Sequence, residues 1–185
     1  PHNTFQPATI KEQHWILKDR YKDVCKCDGM MREYSVEGAN EIIKRCNEAG
    51  FLVQLNHPYW SLNEREDYIH LEGLWGLEIL NYATELETGS EYCPYIYDDM
   101  IRHGMYNLKC TMGDDNHNLD LNNMEPWDCS FGAYNMIKAN ELTYDAIISA
   151  MCNGEFYCST GPEIHEMYID DEDYLVVKTS PAVSI

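Results

Sequence analysis

Met112-Gly113-Asp114-Asp115-Asn116-His117 is the stretch from which the rest of the chain is read. It follows an apolar run, Tyr106 to Thr111, that predicts a strand. The strand gives way to a glycine turn bearing a carboxylate and an imidazole two residues apart. In extended backbone, residues i and i+2 project on one side, so Asp115 and His117 would face the same way. A carboxylate oxygen and a neutral imidazole nitrogen suit a divalent transition metal. Asp-x-His also occurs in polar turns that merely cap the next segment. A second strand-end histidine, upstream in Leu52-Val53-Gln54-Leu55-Asn56-His57-Pro58, sets this one apart.

Working outward, the segment Val36 to Gly50 predicts a helix, because Ala39, Ile42, Ile43 and Cys46 recur at i, i+3, i+4 and i+7. Ser35 would cap its start and Gly50 would stop it. Phe51 to Leu55 follows as a nearly continuous apolar run, as expected for a strand buried on both faces. After a polar loop, Ser61 to Tyr68, comes a second buried strand, Leu74 to Asn81. Its one charged residue, Glu78, should have a partner or point into a site. Glu85 to Gly104 reads as helical in part, broken near Pro94, with Asp98 and Asp99 on a solvated face.

Beyond the Asp-x-His turn lies a polar loop, Asn118 to Asp128. Phe131 to Ile137 then predicts a fourth strand, Asn140 to Asn153 a helix capped by Thr143 and ended by Gly154, and Phe156 to Thr160 a fifth strand. The tail differs: His165 to Ile169 and Tyr174 to Lys178 flank Asp170-Asp171-Glu172-Asp173, a β-hairpin with an acidic turn. That turn lacks the spacing and central glycine of a calcium loop. At the other end, Thr9 to Tyr21 could form a helix with a partly buried face, Cys27-Asp28-Gly29 a turn, and His2 and His14 read as surface histidines.

Alternating helices and strands imply an α/β fold with parallel strands, whose sites lie where the carboxyl ends emerge. His57, Asn81, Asp115 and His117 all fall at such ends.

Composition bounds the function. The chain has 185 residues, enough for one domain, and 13 Lys and Arg against 32 Asp and Glu, for a net charge of -19. That argues against duplex nucleic acid as a partner. An anionic substrate would also approach against the field unless bound cations reversed it locally. No apolar run reaches the roughly 18 residues of a membrane span. Of the eight cysteines, Cys46, Cys110, Cys152 and Cys158 sit in apolar patterns, and Cys25-Lys26-Cys27 is too tight for a zinc knuckle. Reduced thiols and a cytoplasmic location are expected. The chain opens on Pro1 and stops at Ile185 inside a strand-like run, so a portion of a longer protein is expected.

Asn56-His57-Pro58, Gly76-Leu77-Glu78-Ile79-Leu80-Asn81, Gly113-Asp114-Asp115-Asn116-His117 and Ser159-Thr160-Gly161-Pro162 together resemble, in order and spacing, the PHP (polymerase and histidinol phosphatase) family of metal-dependent phosphoesterases. The resemblance spans about residues 36 to 165, the latter two-thirds of such a domain. It implies part of a distorted seven-stranded β/α, TIM-like barrel over residues 1–162, with residues 163–185 as a β-hairpin appendage. It implies two or three divalent ions (manganese, zinc or iron) on the carboxyl rim, bound in order by Asp115, His57 and His117. Asp115 would also help orient the attacking water, and Asn81 and Glu78 would line the substrate pocket. The family's opening His-x-His strand, Asp-His turn, bridging glutamate and further histidine are not present and would lie upstream of Pro1. The implied activity is hydrolysis of a small phosphate ester by metal-activated water. Two other functions fit the same motifs: a non-catalytic binding domain that keeps the fold, and an amidohydrolase-type metal hydrolase. Half a barrel exposes two sheet edges, so association with missing segments or another copy is expected.

Overall fold

The structure, a computed structural model, describes residues 34–117 and 129–183. The expected helix at Thr9 to Tyr21, the turn at Cys27, His2, His14, the Cys25–Cys27 pair and the whole Asn118–Asp128 loop lie outside the described residues.

Helix α1 (Val36–Glu48) begins where Ser35 Oγ accepts the Gly38 N–H at 3.0 Å, and the chain turns at Gly50 with φ 85°. Ile43 buries its inner face. Strand β1 (Gln54–Leu55) is shorter than the apolar run predicts. Among the described residues it pairs only with β2, and Phe51 and Leu52 are exposed instead of buried on two faces. A short helix α2 (Arg65–Tyr68) precedes β2 (Gly76–Asn81), the central strand, in which every residue is buried. The helical region after β2 is two helices, α3 (Tyr82–Thr88) and α4 (Pro94–Arg102). They are separated because Gly89 takes a left-handed φ of 65° and Pro94 can only open a helix. On α4, Asp98 pairs with Arg102, and Asp99 is held bidentately by Arg65.

Strand β3 (Lys109–Gly113) starts later than the apolar pattern suggests, because Tyr106 sits exposed in the preceding turn. Strands β1, β2 and β3 run parallel in that order, with Leu55 opposite Leu77 and Leu77 opposite Cys110. One core cluster, including Ile43, Tyr68, Leu77, Ile96, Met100 and Leu108, joins this sheet to α1, α2 and α4.

The next two strands depart from the parallel expectation. β4 (Tyr134–Ile137) and β5 (Phe156–Ser159) pair antiparallel, Tyr134 opposite Ser159 and Ile137 opposite Phe156. The cause is where β4 begins: residues 131–133 are bound at the carboxyl end of β3, so the strand runs back down the sheet. The Asn135 side chain replaces ladder bonds to β3, accepting the Met112 N–H at 3.1 Å and donating to the Met112 carbonyl at 2.7 Å. Helix α5 (Tyr144–Asn153) then returns the chain, capped by Thr143 and ended by Gly154 at φ 76°.

β6 (Ile164–Ile169) and β7 (Leu175–Thr179) form the expected hairpin. Its acidic turn is organised by Asp170, whose Oδ1 accepts the N–H groups of Glu172 and Tyr174 at 2.9 Å. Over the described residues the protein is therefore mixed α/β, built on a three-stranded parallel sheet with two small antiparallel pairs. The described strands do not close into a barrel. Among the described residues, no helix is long and apolar enough to cross a membrane.

Candidate functional site

The carboxyl ends of β1, β2 and β3 meet around one buried carboxylate. Glu78 lies within the all-buried β2 and is only 6% exposed. A charge there needs partners. Its Oε2 accepts the His57 N–H at 2.9 Å and the Asn81 amide at 3.2 Å. Burial nevertheless pushes its carboxyl up to about 7, and the carboxylates of Asp115 and Glu91 push the same way, while the two hydrogen bonds pull it down. Asp115 thus acts on Glu78 from the loop that follows β3.

His57 is buried and sits in a sharp turn with φ 30°. Its Nδ1 lies 2.9 Å from Ser61 Oγ, and its ring meets Trp60 edge-on at 5.3 Å. Asn81, expected as a pocket wall, is 1% exposed and has two structural tasks. Its Nδ2 restrains Glu78, and its Oδ1 caps α3 by accepting the Thr84 N–H at 3.1 Å.

Asp115 and His117 are exposed, and Asp115 adopts a left-handed φ of 49°. The structure therefore joins His57, Glu78 and Asn81 in one hydrogen-bonded group, with Asp115 close enough to act on it electrostatically. His117 lies out on the surface of the same rim loop. Among the described residues, no group of three or more His, Cys, Asp and Glu side chains is arranged to hold a metal ion. The buried Cys93 thiol donates to backbone carbonyls of β2, and burial holds it up at about 12.

Two acidic residues of the site escape the motif reading. The Asp-x-His pattern points to Asp115, yet the Asp114 carboxylate beside it accepts three successive backbone N–H groups: Phe131 at 2.6 Å, Gly132 at 2.9 Å and Ala133 at 2.9 Å. Its carbonyl accepts the Ala83 N–H of α3 at 3.2 Å. The doubled aspartate in Gly113-Asp114-Asp115 was the available signal. Glu91 sits in a polar loop with nothing in the sequence to mark it, but it is fully buried. Its Oε2 accepts the Trp60 N–H at 2.9 Å, its Oε1 has no hydrogen-bond partner among the described residues, and burial raises its carboxyl. Glu78 and Glu91 thus both hold backbone N–H groups of the His57–Trp60 turn.

Gly132 packs against the Tyr82 ring so closely that an added Cβ would fall 2.0 Å from two ring carbons. Gly132→Ala is expected to destabilise the fold by about 2 kcal/mol, because either the ring or the 131–133 turn must move. Chemical denaturation checks this, and Tyr82→Ala in the same chain should recover part of the loss.

Compared with family models, curated proteins and solved structures, the chain matches none.

Proposed function

We propose that this chain is part of a PHP-type phosphoesterase that hydrolyses a small phosphate ester at divalent ions on the carboxyl rim of its parallel sheet. The observation that carries the reading is the environment of Glu78. It is a buried carboxylate beside His57, and among the described residues the charged groups that act on it, Asp115 and Glu91, are both acidic. A divalent cation at this end of the sheet would supply the missing positive charge, and imidazole and carboxylate donors suit such an ion. The residues fit as part of a ligand set: Asp115 for a first ion, His57 for a second, His117 for a third. Further ligands would come from outside the described residues.

When bound, the ions would lower the pKa of a water and neutralise phosphate oxygens. The chain's own residues have the remaining work. Ser61 at Nδ1 holds the His57 ring in one orientation, as polar partners of metal-binding histidines do. The Asn81 amide, donating to Oε2, restrains the Glu78 carboxylate. Before any cation binds, burial holds Glu78 at about 7, and a bound cation would favour its ionised form.

A second reading, a non-catalytic domain with the same rim, is favoured by the exposed position of His117 and by the absence of a three-donor group among the described residues. One experiment separates them. Mn²⁺ should bind the full-length protein, which should hydrolyse p-nitrophenyl phosphate with Mn²⁺ and not after chelation. Binding without turnover would favour the second reading, and hydrolysis of an anilide in place of the phosphoester would favour an amidohydrolase. The absence of both binding and turnover would overturn the proposal.

A further inference from the structure

We infer that the two aspartates of Gly113-Asp114-Asp115 have divided roles, with Asp114 the positioning residue that holds Asp115 and His117 on the rim; this rests on the reading of that rim as a metal site. Asp114 is poorly suited to be a ligand itself. Both of its oxygens are taken by backbone N–H groups, Oδ2 by Phe131 and Oδ1 by Gly132 and Ala133. Three donors on one carboxylate make a rigid, charge-assisted clamp. Phe131 adopts a left-handed φ of 64° in wrapping the group.

The clamp ties together pieces distant in sequence. On one side it holds the turn that starts β4. On the other, the Asp114 carbonyl accepts the N–H of Ala83 in the first turn of α3, the helix whose cap, Asn81, also bonds Glu78. Gly132, between two of the clamped N–H groups, lies flat on Tyr82 at the start of the same helix. One residue past Asp115, the Asn116 amide donates to Ser130 Oγ at 2.6 Å. Asp115 therefore lies between two anchored neighbours. That accounts for a non-glycine residue held at φ 49° and for its carboxylate acting on Glu78 across the strand. An exposed side chain on an untethered loop would spread over many positions. Here the backbone on both sides is fixed, so the carboxylate is presented from a narrow range.

The test uses the whole chain and two readouts, amide hydrogen exchange at residues 115–117 and Mn²⁺ affinity, both taken well below the melting temperature. Asp114→Asn keeps the size of the side chain but turns an N–H₂ toward N–H donors. It should speed exchange at residues 115–117 and weaken Mn²⁺ binding, each by roughly tenfold or more. Ile96→Val, a core change that lowers stability without touching the rim, should leave both readouts unchanged. Gly132→Ala attacks the clamp from the far side. It should reproduce the Asp114→Asn effects, and the double variant should add little. It also decides the matter should Asp114→Asn fail to fold. Unchanged exchange at residues 115–117 in whichever clamp variant folds would overturn the positioning role. If the unaltered protein binds no Mn²⁺, the metal reading of the rim falls, and the exchange data alone still decide whether Asp114 positions the segment.

Discussion

Asp115→Asn is expected to abolish Mn²⁺-dependent phosphoester hydrolysis while leaving the fold intact. The backbone argues for the second half. Asp115 sits at φ 49°, a left-handed conformation that asparagine tolerates as readily as aspartate. Its side chain is exposed, and the bonds that anchor the loop are made by Asp114 and Asn116. Stability should change by no more than about 0.5 kcal/mol. The chemistry argues for the first half. The substitution removes the negative charge assigned to the first ion and leaves a weaker, neutral oxygen donor. Loss of an outer partner of a metal ligand typically costs roughly 10–100-fold, and loss of a ligand should exceed that. Turnover of p-nitrophenyl phosphate and a thermal melt on the same sample measure both halves. Undiminished turnover would refute the assignment of Asp115. Asp115→Ala is a less clean variant, because alanine adds strain at a positive φ.

The second large effect concerns Glu78 and pH. Its carboxyl ionises near 4.5 in an unfolded chain and at about 7 in the folded protein, chiefly through burial. Below the lower value both states hold the proton, and the group leaves stability unchanged. Between the two values the unfolded chain releases its proton first, so stability falls as pH rises. Above the upper value the whole penalty, on the order of 3 kcal/mol, is in force. Glu78→Gln stays neutral throughout, and its oxygen can still accept the His57 N–H. With chelator present, Glu78→Gln should be more stable than the unaltered protein at about pH 8 by up to that amount, and no more stable at about pH 4. Urea denaturation at the two pH values checks the difference. Equal gaps at both would show that water reaches Glu78 and that burial does not govern its titration. The proposed function adds a condition: Mn²⁺ at the higher pH should narrow the gap, because a bound cation favours the ionised glutamate.

Local signals proved legible where one segment carries its own answer. Helix α1 begins at Ser35 and turns at Gly50, α5 begins at Thr143 and ends at Gly154, and the hairpin of β6 and β7 folds about Asp170. Each rests on side-chain periodicity or on a cap bonding its own backbone within four residues. Glu78 also declared itself, since a charge in a buried strand requires partners, and it has them in His57 and Asn81. Strand ends were less legible. β1 and β3 have other limits than their apolar runs suggest, because pairing with β2, not hydrophobicity, decides where they start and stop.

By itself, then, the sequence determined the succession of helices and strands, the α/β class and the gathering of His57, Asn81 and Asp115 at strand ends. Only the tertiary structure decided that β4 and β5 run antiparallel, that Asp114 grips residues 131–133, and that Glu91 lies buried against Trp60. The physical reason is range. Periodicity and capping are settled by neighbours within a turn or two of chain, whereas a carboxylate's partner 17 or 31 residues away is chosen by which loops the packed core brings together.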